Sequence, residues 1–209
     1  MIDDNALRQL RQWSEGDSRY ILGIVGLPGA GKSTLTDWLK KQFAETLVVI
    51  PMDGFHLANN QLKRLGRLQR KGAPDTFDVS GYHALLHRVK QAYQQETVYA
   101  PSFHREIEES IAGEIAIPAE TRLIITEGNY LLLEENGWAA TPSFLDHTWF
   151  IHVDETQRLQ QLKRRHMEYG RSDHEAEQWI ATTDQPNAER IQATAERADK
   201  QIFIKNNDN

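Results

Sequence analysis

Eight consecutive residues constrain this chain more than any others: Gly26-Leu27-Pro28-Gly29-Ala30-Gly31-Lys32-Ser33 satisfies G-x-x-x-x-G-K-[ST] at every fixed position. An apolar run, Ile21-Leu22-Gly23-Ile24-Val25, precedes it, and a segment with helical spacing from Lys32 to Ala44 follows. The order predicts a buried strand, a tight turn and a helix. Glycines let backbone N–H groups converge on phosphate oxygens, and the helix N-terminus adds a favourable dipole. The stretch from Gly26 to Thr34 is therefore expected to cradle a polyphosphate, with Lys32 on its terminal phosphates and Ser33 on Mg2+. A dinucleotide turn fits less well, because Gly29-Ala30-Gly31 lacks the third glycine of G-x-G-x-x-G and runs into a lysine.

Further short Val/Ile-rich runs recur at Leu47–Met52, Leu123–Thr126, Trp149–Val153 and Gln201–Ile204. Between them lie stretches of helical spacing, expected as helices at about 3–14, 32–44, 80–95, 154–169, 173–182 and 186–198. Alternation of this kind predicts an α/β fold, a three-layer sandwich with a mostly parallel central sheet and helices on both faces. Ser172 with Glu175 reads as a capping box, and Ser80, Asp154 and Asp184 as N-caps. The segment 97–118 breaks the pattern and suggests a hairpin-like excursion. No repeat or linker divides the 209 residues, so one domain is expected, with excursions at about 54–79, 99–118 and 163–175. The polar tail 205–209 is expected to fray.

Composition excludes several alternatives. A net charge of −6 argues against a general nucleic-acid or membrane-surface binder, which needs a positive field. The absence of cysteine removes disulfide, thiolate-metal and cysteine-nucleophile chemistry. With an acidic N-terminus and no apolar run of bilayer length, a cytoplasmic location is the default. A small-molecule partner, with no nucleic acid and no membrane, is expected, and a homodimer stays open.

Two carboxylates stand at strand ends, where ligands of open parallel sheets bind. Asp53 follows Val48-Val49-Ile50-Pro51-Met52 and is placed to face a transferring phosphate, orienting an acceptor hydroxyl and taking its proton. The bland alternative is a turn acid before Gly54. Glu127 follows Leu123-Ile124-Ile125-Thr126 and suits Mg2+ beside Ser33, with a surface acid as its alternative.

These motifs together resemble the small-molecule kinases that group pantothenate kinase, uridine kinase and phosphoribulokinase. Asp53-Gly54-Phe55 resembles the Asp-Gly-Phe of pantothenate kinases, whose Asp is the proposed base. Lys71-Gly72-Ala73-Pro74-Asp75-Thr76-Phe77-Asp78 resembles the segment that helps build the acceptor site, and Glu127-Gly128 the family's Glu-Gly. Arg165-His166, Gly170, Trp179 and Asp184-Gln185-Pro186-Asn187-Ala188 are similar to a subgroup related to pantothenate kinase, some of whose members carry sugar-kinase names. The resemblance implies ATP and Mg2+ as cofactors and a small lid. It also implies contact of Asn187 with adenine, although helix capping explains Asn187 equally well. A uridine-kinase lid would read Arg-Leu-x-Arg-Arg; here Arg158-Leu159 is followed by Gln160-Gln161, so lid chemistry falls to Lys163, Arg164, Arg165 or Arg171. The acceptor segment of pantothenate kinases is not reproduced cleanly in Tyr99 to Arg105, which leaves pantothenate itself an unsafe transfer.

Weaker patterns keep two readings each. Lys63, Arg64, Arg67, Arg70 and Lys71 form an acid-free basic stretch, either a solvated face or an attractor for an anionic acceptor. The cations at 163–171 either complement a helix C-terminus or bring Arg165 or Arg171 onto the phosphates. His83 and His87 read as a surface pair, and Trp179, Ile180, Ile191 and Ala195 as packing residues. His56, Lys71, Asp75, Phe103, His104, Arg105 and Arg171 are the candidate acceptor contacts. The expectation is a kinase moving the γ-phosphoryl group of ATP to a hydroxyl of a sugar, nucleoside or hydroxy acid. A nucleotide-gated interaction module and a nucleoside monophosphate kinase are the alternatives.

Overall fold

The computed structural model describes residues 2–204, which places the tail 205–209 outside the described residues. Asp3 opens helix α1 (Asp4–Glu15), its side chain accepting from the Ala6 N–H at 2.6 Å. Strand β1 (Tyr20–Gly26) then enters α2 (Lys32–Phe43) through the glycine-rich turn, and β2 (Leu47–Pro51) follows. A short α3 (Asn59–Arg64) and α4 (Val79–Gln91) lead to an antiparallel hairpin of β3 (Val98–His104) and β4 (Glu109–Ile117). Next come β5 (Leu123–Gly128), β6 (His147–His152), α5 (Glu155–Glu168), α6 (Asp173–Trp179), α7 (Gln185–Gln192) and β7 (Lys200–Phe203).

Five strands pair in the order β2-β5-β1-β6-β7, every neighbour parallel. Alternate side chains of each strand serve opposite faces. Ile21 and Val25 of β1 join Ile50, Ile124 and Phe150 under Tyr82, Leu86 and Val89 of α4. Leu22 and Ile24 join Val49, Ile125 and Trp149 under Leu10 of α1 and Leu35 and Leu39 of α2. Helices thus cover both faces, as parallel strands buried on both sides require. Because β1 lies between β5 and β6, the chain leaves it in one direction and later returns on the other. That crevice at the carboxyl ends is where such sheets bind ligands. Among the described residues, no helix is long and apolar enough to cross a membrane.

Several local expectations need correction. Asp78, not Ser80, caps α4, its carboxylate accepting from Gly81 N–H at 2.9 Å. Asp184 caps nothing with its side chain, because α6 continues through a π-helical turn (Ile180–Asp184) into α7. The final helix stops at Gln192: Thr194 turns its hydroxyl back to the Ile191 carbonyl at 2.7 Å, and only a 3-10 turn follows at Ala195–Arg197. His83 is half-buried rather than a surface residue. It meets Thr141 at 2.8 Å and stacks on Phe144, whereas His87 is exposed.

Candidate active site

The turn between β1 and α2 closes with the Ala30 N–H donating to Leu27 O at 3.0 Å. Gly29 sits at φ +81°, and a β-carbon there would come within 2.8 Å of the Arg158 carbonyl oxygen, so glycine is required by both conformation and space. Gly31, also left-handed, starts α2 with no side-chain cap, leaving the first-turn N–H groups for a ligand. Lys32 folds back over the turn, donating to Gly26 O at 3.0 Å, Leu27 O at 3.2 Å and Asn129 Oδ1 at 2.5 Å. Burial lowers its pKa to about 8, against the opposing pull of Glu127 and Asp53.

Register carries the two acids to the same end of the sheet. Glu127 on β5 lies beside Ile24 of β1 and Pro51 of β2, and Asp53 follows in a 3-10 turn (Met52–Phe55). Glu127 is 8% exposed, its Oε1 3.5 Å from Ser33 Oγ. Burial raises its pKa, opposed by Lys32. Hard oxygens converging beside the phosphate turn suit Mg2+, which takes few protein ligands and completes its shell with phosphate oxygens and water. The donor set therefore fits the ion, and Ser33 and Glu127 are the residues that would hold it.

Asp53 faces the cleft. Burial alone would raise its pKa, but His56, protonated in the acid range where Asp53 titrates, together with Arg105, Lys32 and Arg165, outweighs burial and holds it below the usual carboxylate range. Arg105, at the hairpin turn, donates to Asp53 Oδ2 at 3.0 Å; among the described residues no donor holds Oδ1. The Asp53 carbonyl accepts from the His56 backbone N–H at 3.1 Å and from ring Nδ1 at 2.8 Å, so Nδ1 carries the proton and Nε2 is left as an acceptor. The ring is held between Phe77 and Phe103, with centroids at 4.0 and 4.5 Å. Burial lowers the His56 pKa, which favours this neutral form.

Asp53, Glu127, Lys32, Ser33, His56, Lys71, Phe103, Arg105, Arg165 and Arg171 all line one cavity of about 190 Å3. Arg165 also borders the groove over Gly29 to Thr34. Among the described residues, no hydrogen bond or ion pair engages its guanidinium.

Other expected contacts lie elsewhere. Asp75 is held by Arg70 and Arg67, away from the cavity. His104 sits between Glu106 at 2.7 Å and Glu114 at 2.6 Å on the hairpin, outside the cavity wall. Asn187, expected near adenine, lines the cavity that Asp53 shares with Pro28, Lys32 and Ser33. Trp179, expected to pack helices, lines the same cavity. Sequence reading also missed Asn129, which fixes Lys32, and Tyr130, whose hydroxyl donates to Gly72 O at 2.6 Å. For Asn129 the available signal was a polar side chain two positions past the strand-end glutamate.

The sequence model of the phosphoribulokinase / uridine kinase family matches residues 21–206. A solved structure from Silicibacter sp. TM1040, provisionally assigned as a fructose transport system kinase, superposes with a TM-score of 0.82 at 35% identity. The match covers 94% of this chain and 97% of that one. A Schizosaccharomyces pombe protein provisionally named a uridine kinase is 32% identical over 161 residues, 73% of this chain and 68% of that protein. The pantothenate kinase of Enterococcus faecalis is 30% identical over 141 residues, 65% of this chain but 45% of its own length. The acceptors in these names differ from one relative to the next, so common ancestry by itself selects none of them.

Proposed function

The chain belongs to the phosphoribulokinase / uridine kinase family, and from that premise we propose that it transfers the γ-phosphoryl group of ATP to a hydroxyl of a small metabolite. The observation that carries this reading is the meeting of Asp53, Lys32, Arg165 and the Ser33–Glu127 pair around one cavity. Lys32 and the first turn of α2 bind the phosphate tail. Arg165, bordering both the phosphate groove and the cavity, neutralises charge on the transferring group. Ser33 and Glu127 would hold Mg2+, which would supply charge neutralisation to the phosphates.

Asp53 Oδ1 accepts the hydroxyl hydrogen and aims the oxygen. As the new oxygen–phosphorus bond forms and the bridging bond to ADP breaks, the proton passes to Asp53. A carboxylate of depressed pKa is a weak base, which suits a loose transition state in which the hydroxyl acidifies late. Arg105 keeps the other oxygen of Asp53 occupied, so the carboxylate has one orientation.

An ADP-release assay with Mg-ATP and a panel of sugars, nucleosides and hydroxy acids tests the proposal. At least one hydroxyl compound should raise ADP release well above the basal rate. ATP hydrolysis that no acceptor alters would point instead to a nucleotide-gated module.

A further inference from the structure

Adjoining the Asp53 cavity, with which it shares Lys71, Arg105, Arg165 and Arg171, lies an outer chamber of about 490 Å3. Its walls carry five cations, Lys63, Lys71, Arg105, Arg165 and Arg171, against one carboxylate, Glu108. This runs opposite to the net charge of −6 on the whole chain. Arg105 and Arg165 also border the groove above Lys32 and Ser33, so a bound nucleotide draws on them. Lys63, Lys71 and Arg171 do not border that groove. With nucleotide in place, these three outnumber Glu108 and the chamber stays positive.

Arg171 is held ready for an anion. Its Nη1 donates to His166 Nδ1 at 2.7 Å, and its guanidinium lies over the Trp179 ring at 3.9 Å. An arginine N–H only donates, so His166 Nδ1 accepts, and the ring proton sits on Nε2, which donates to Asp184 Oδ2 at 2.7 Å. Asp184 thereby selects the His166 tautomer, and His166 fixes Arg171. Among the described residues no carboxylate pairs with Arg171, and its remaining N–H groups have no protein acceptor. Lys71 is also anchored, donating to Asn59 Oδ1 at 2.7 Å and to the Glu108 carbonyl, with the Glu108 carboxylate 4.0 Å away, its side chain only 12% exposed and its ammonium 5.2 Å over Phe103. Side chains already fixed in place lose little entropy on binding a ligand.

We propose that the phosphoryl acceptor itself carries an anionic group, a carboxylate or a phosphate ester, bound in the outer chamber by Arg171 and Lys71 while its hydroxyl faces Asp53. This rests on the kinase reading above. His166 and Asp184 are positioning residues that act through Arg171.

The test is calorimetry on protein saturated with Mg2+ and a non-hydrolysable ATP analogue, titrated with inorganic phosphate, D-glycerate and glycerol. At least one anion should bind saturably and glycerol should not; preference for phosphate identifies a phosphorylated acceptor, and preference for glycerate a hydroxy acid. Arg171→Ala should weaken that anion by about tenfold or more. His166→Ala, which keeps the arginine but frees it, should weaken the anion by roughly threefold. Affinity for the nucleotide analogue, read in the same instrument, reports that each variant is folded. Absence of anion binding to the loaded protein, equal binding of glycerol, or wild-type anion affinity in Arg171→Ala would overturn the proposal. Failure of the kinase reading looks different: anion binding persists while no acceptor stimulates ADP release.

Discussion

At the scale of single residues, Lys32 and Asp53 are perturbed in ways that can be measured. Burial holds Lys32 at about 8 without ligand, and a polyphosphate stabilises its charged form, so the pKa rises on binding. Nucleotide binding should then take up a proton at pH 8 to 9 and almost none at pH 6, read by calorimetry in buffers of different ionisation enthalpy. Equal uptake at both pH values would contradict a desolvated Lys32. The Asp53 pKa is lowered as well, but for an acid this favours the charged form, so Asp53 stays ionised throughout the neutral range and is neutralised only below the usual carboxylate region. Asp53→Asn should lower acceptor-dependent turnover by about 100-fold or more, the usual range for a positioned general base, with nucleotide affinity nearly intact. Equal turnover in wild type and mutant would remove Asp53 from the chemistry.

At the scale of elements, the site depends on a hairpin docking against a turn. A β-carbon on Gly54 would lie 2.3 Å from the Pro101 carbonyl oxygen, and backbone cannot swing aside as a flexible side chain can. Pro101 lies where the β3–β4 register shifts, and a residue without an N–H is tolerated at such an irregularity. Gly54→Ala should therefore push the hairpin away, at a cost of roughly 1–3 kcal/mol, and carry Arg105 off Asp53. The expected result is a lower Tm and reduced acceptor-dependent turnover, with proton uptake by Lys32 retained. Wild-type values for both Tm and turnover would show that this contact has no such role. The basic stretch divides at this scale too: Lys63 and Lys71 line the outer chamber, whereas Arg67 and Arg70 hold Asp75. Neither of its two sequence readings describes the whole stretch.

For the whole molecule, the hairpin and sheet are joined by one buried cation that sequence reading did not single out. Arg19, 1% exposed, donates to Thr121 O and Val89 O at 2.7 Å, to Pro118 O at 2.6 Å and to Ala119 O at 3.0 Å. It thus ties the start of β1 to the end of α4 and to the return from β4. Arg19→Met keeps apolar bulk but removes the charged donor shared by four carbonyls, of which Pro118 O keeps the Thr121 N–H and Ala119 O the Gln94 N–H, a loss on the order of 3 kcal/mol in urea unfolding. A change below about 1 kcal/mol, typical of a solvated surface arginine, would refute this role.

The sequence alone determined the parallel sheet, the phosphate turn and the two strand-end acids, because each is a local pattern: apolar period, glycine spacing, a carboxylate where an apolar run stops. The same locality explains the capping box of Ser172 and Glu175, present as read. It also explains the misplaced contacts: Asp75 and His104 belong to motif-bearing segments, but their side chains are taken by charged neighbours. Only the tertiary structure decided that Arg105 reaches Asp53, that Asn129 holds Lys32, and that Asp184, His166, Arg171 and Trp179 form one assembly at the mouth of the cleft. Those contacts join residues from separate elements. Their distances follow from how helices and hairpin pack on the sheet, which no local pattern in the chain encodes.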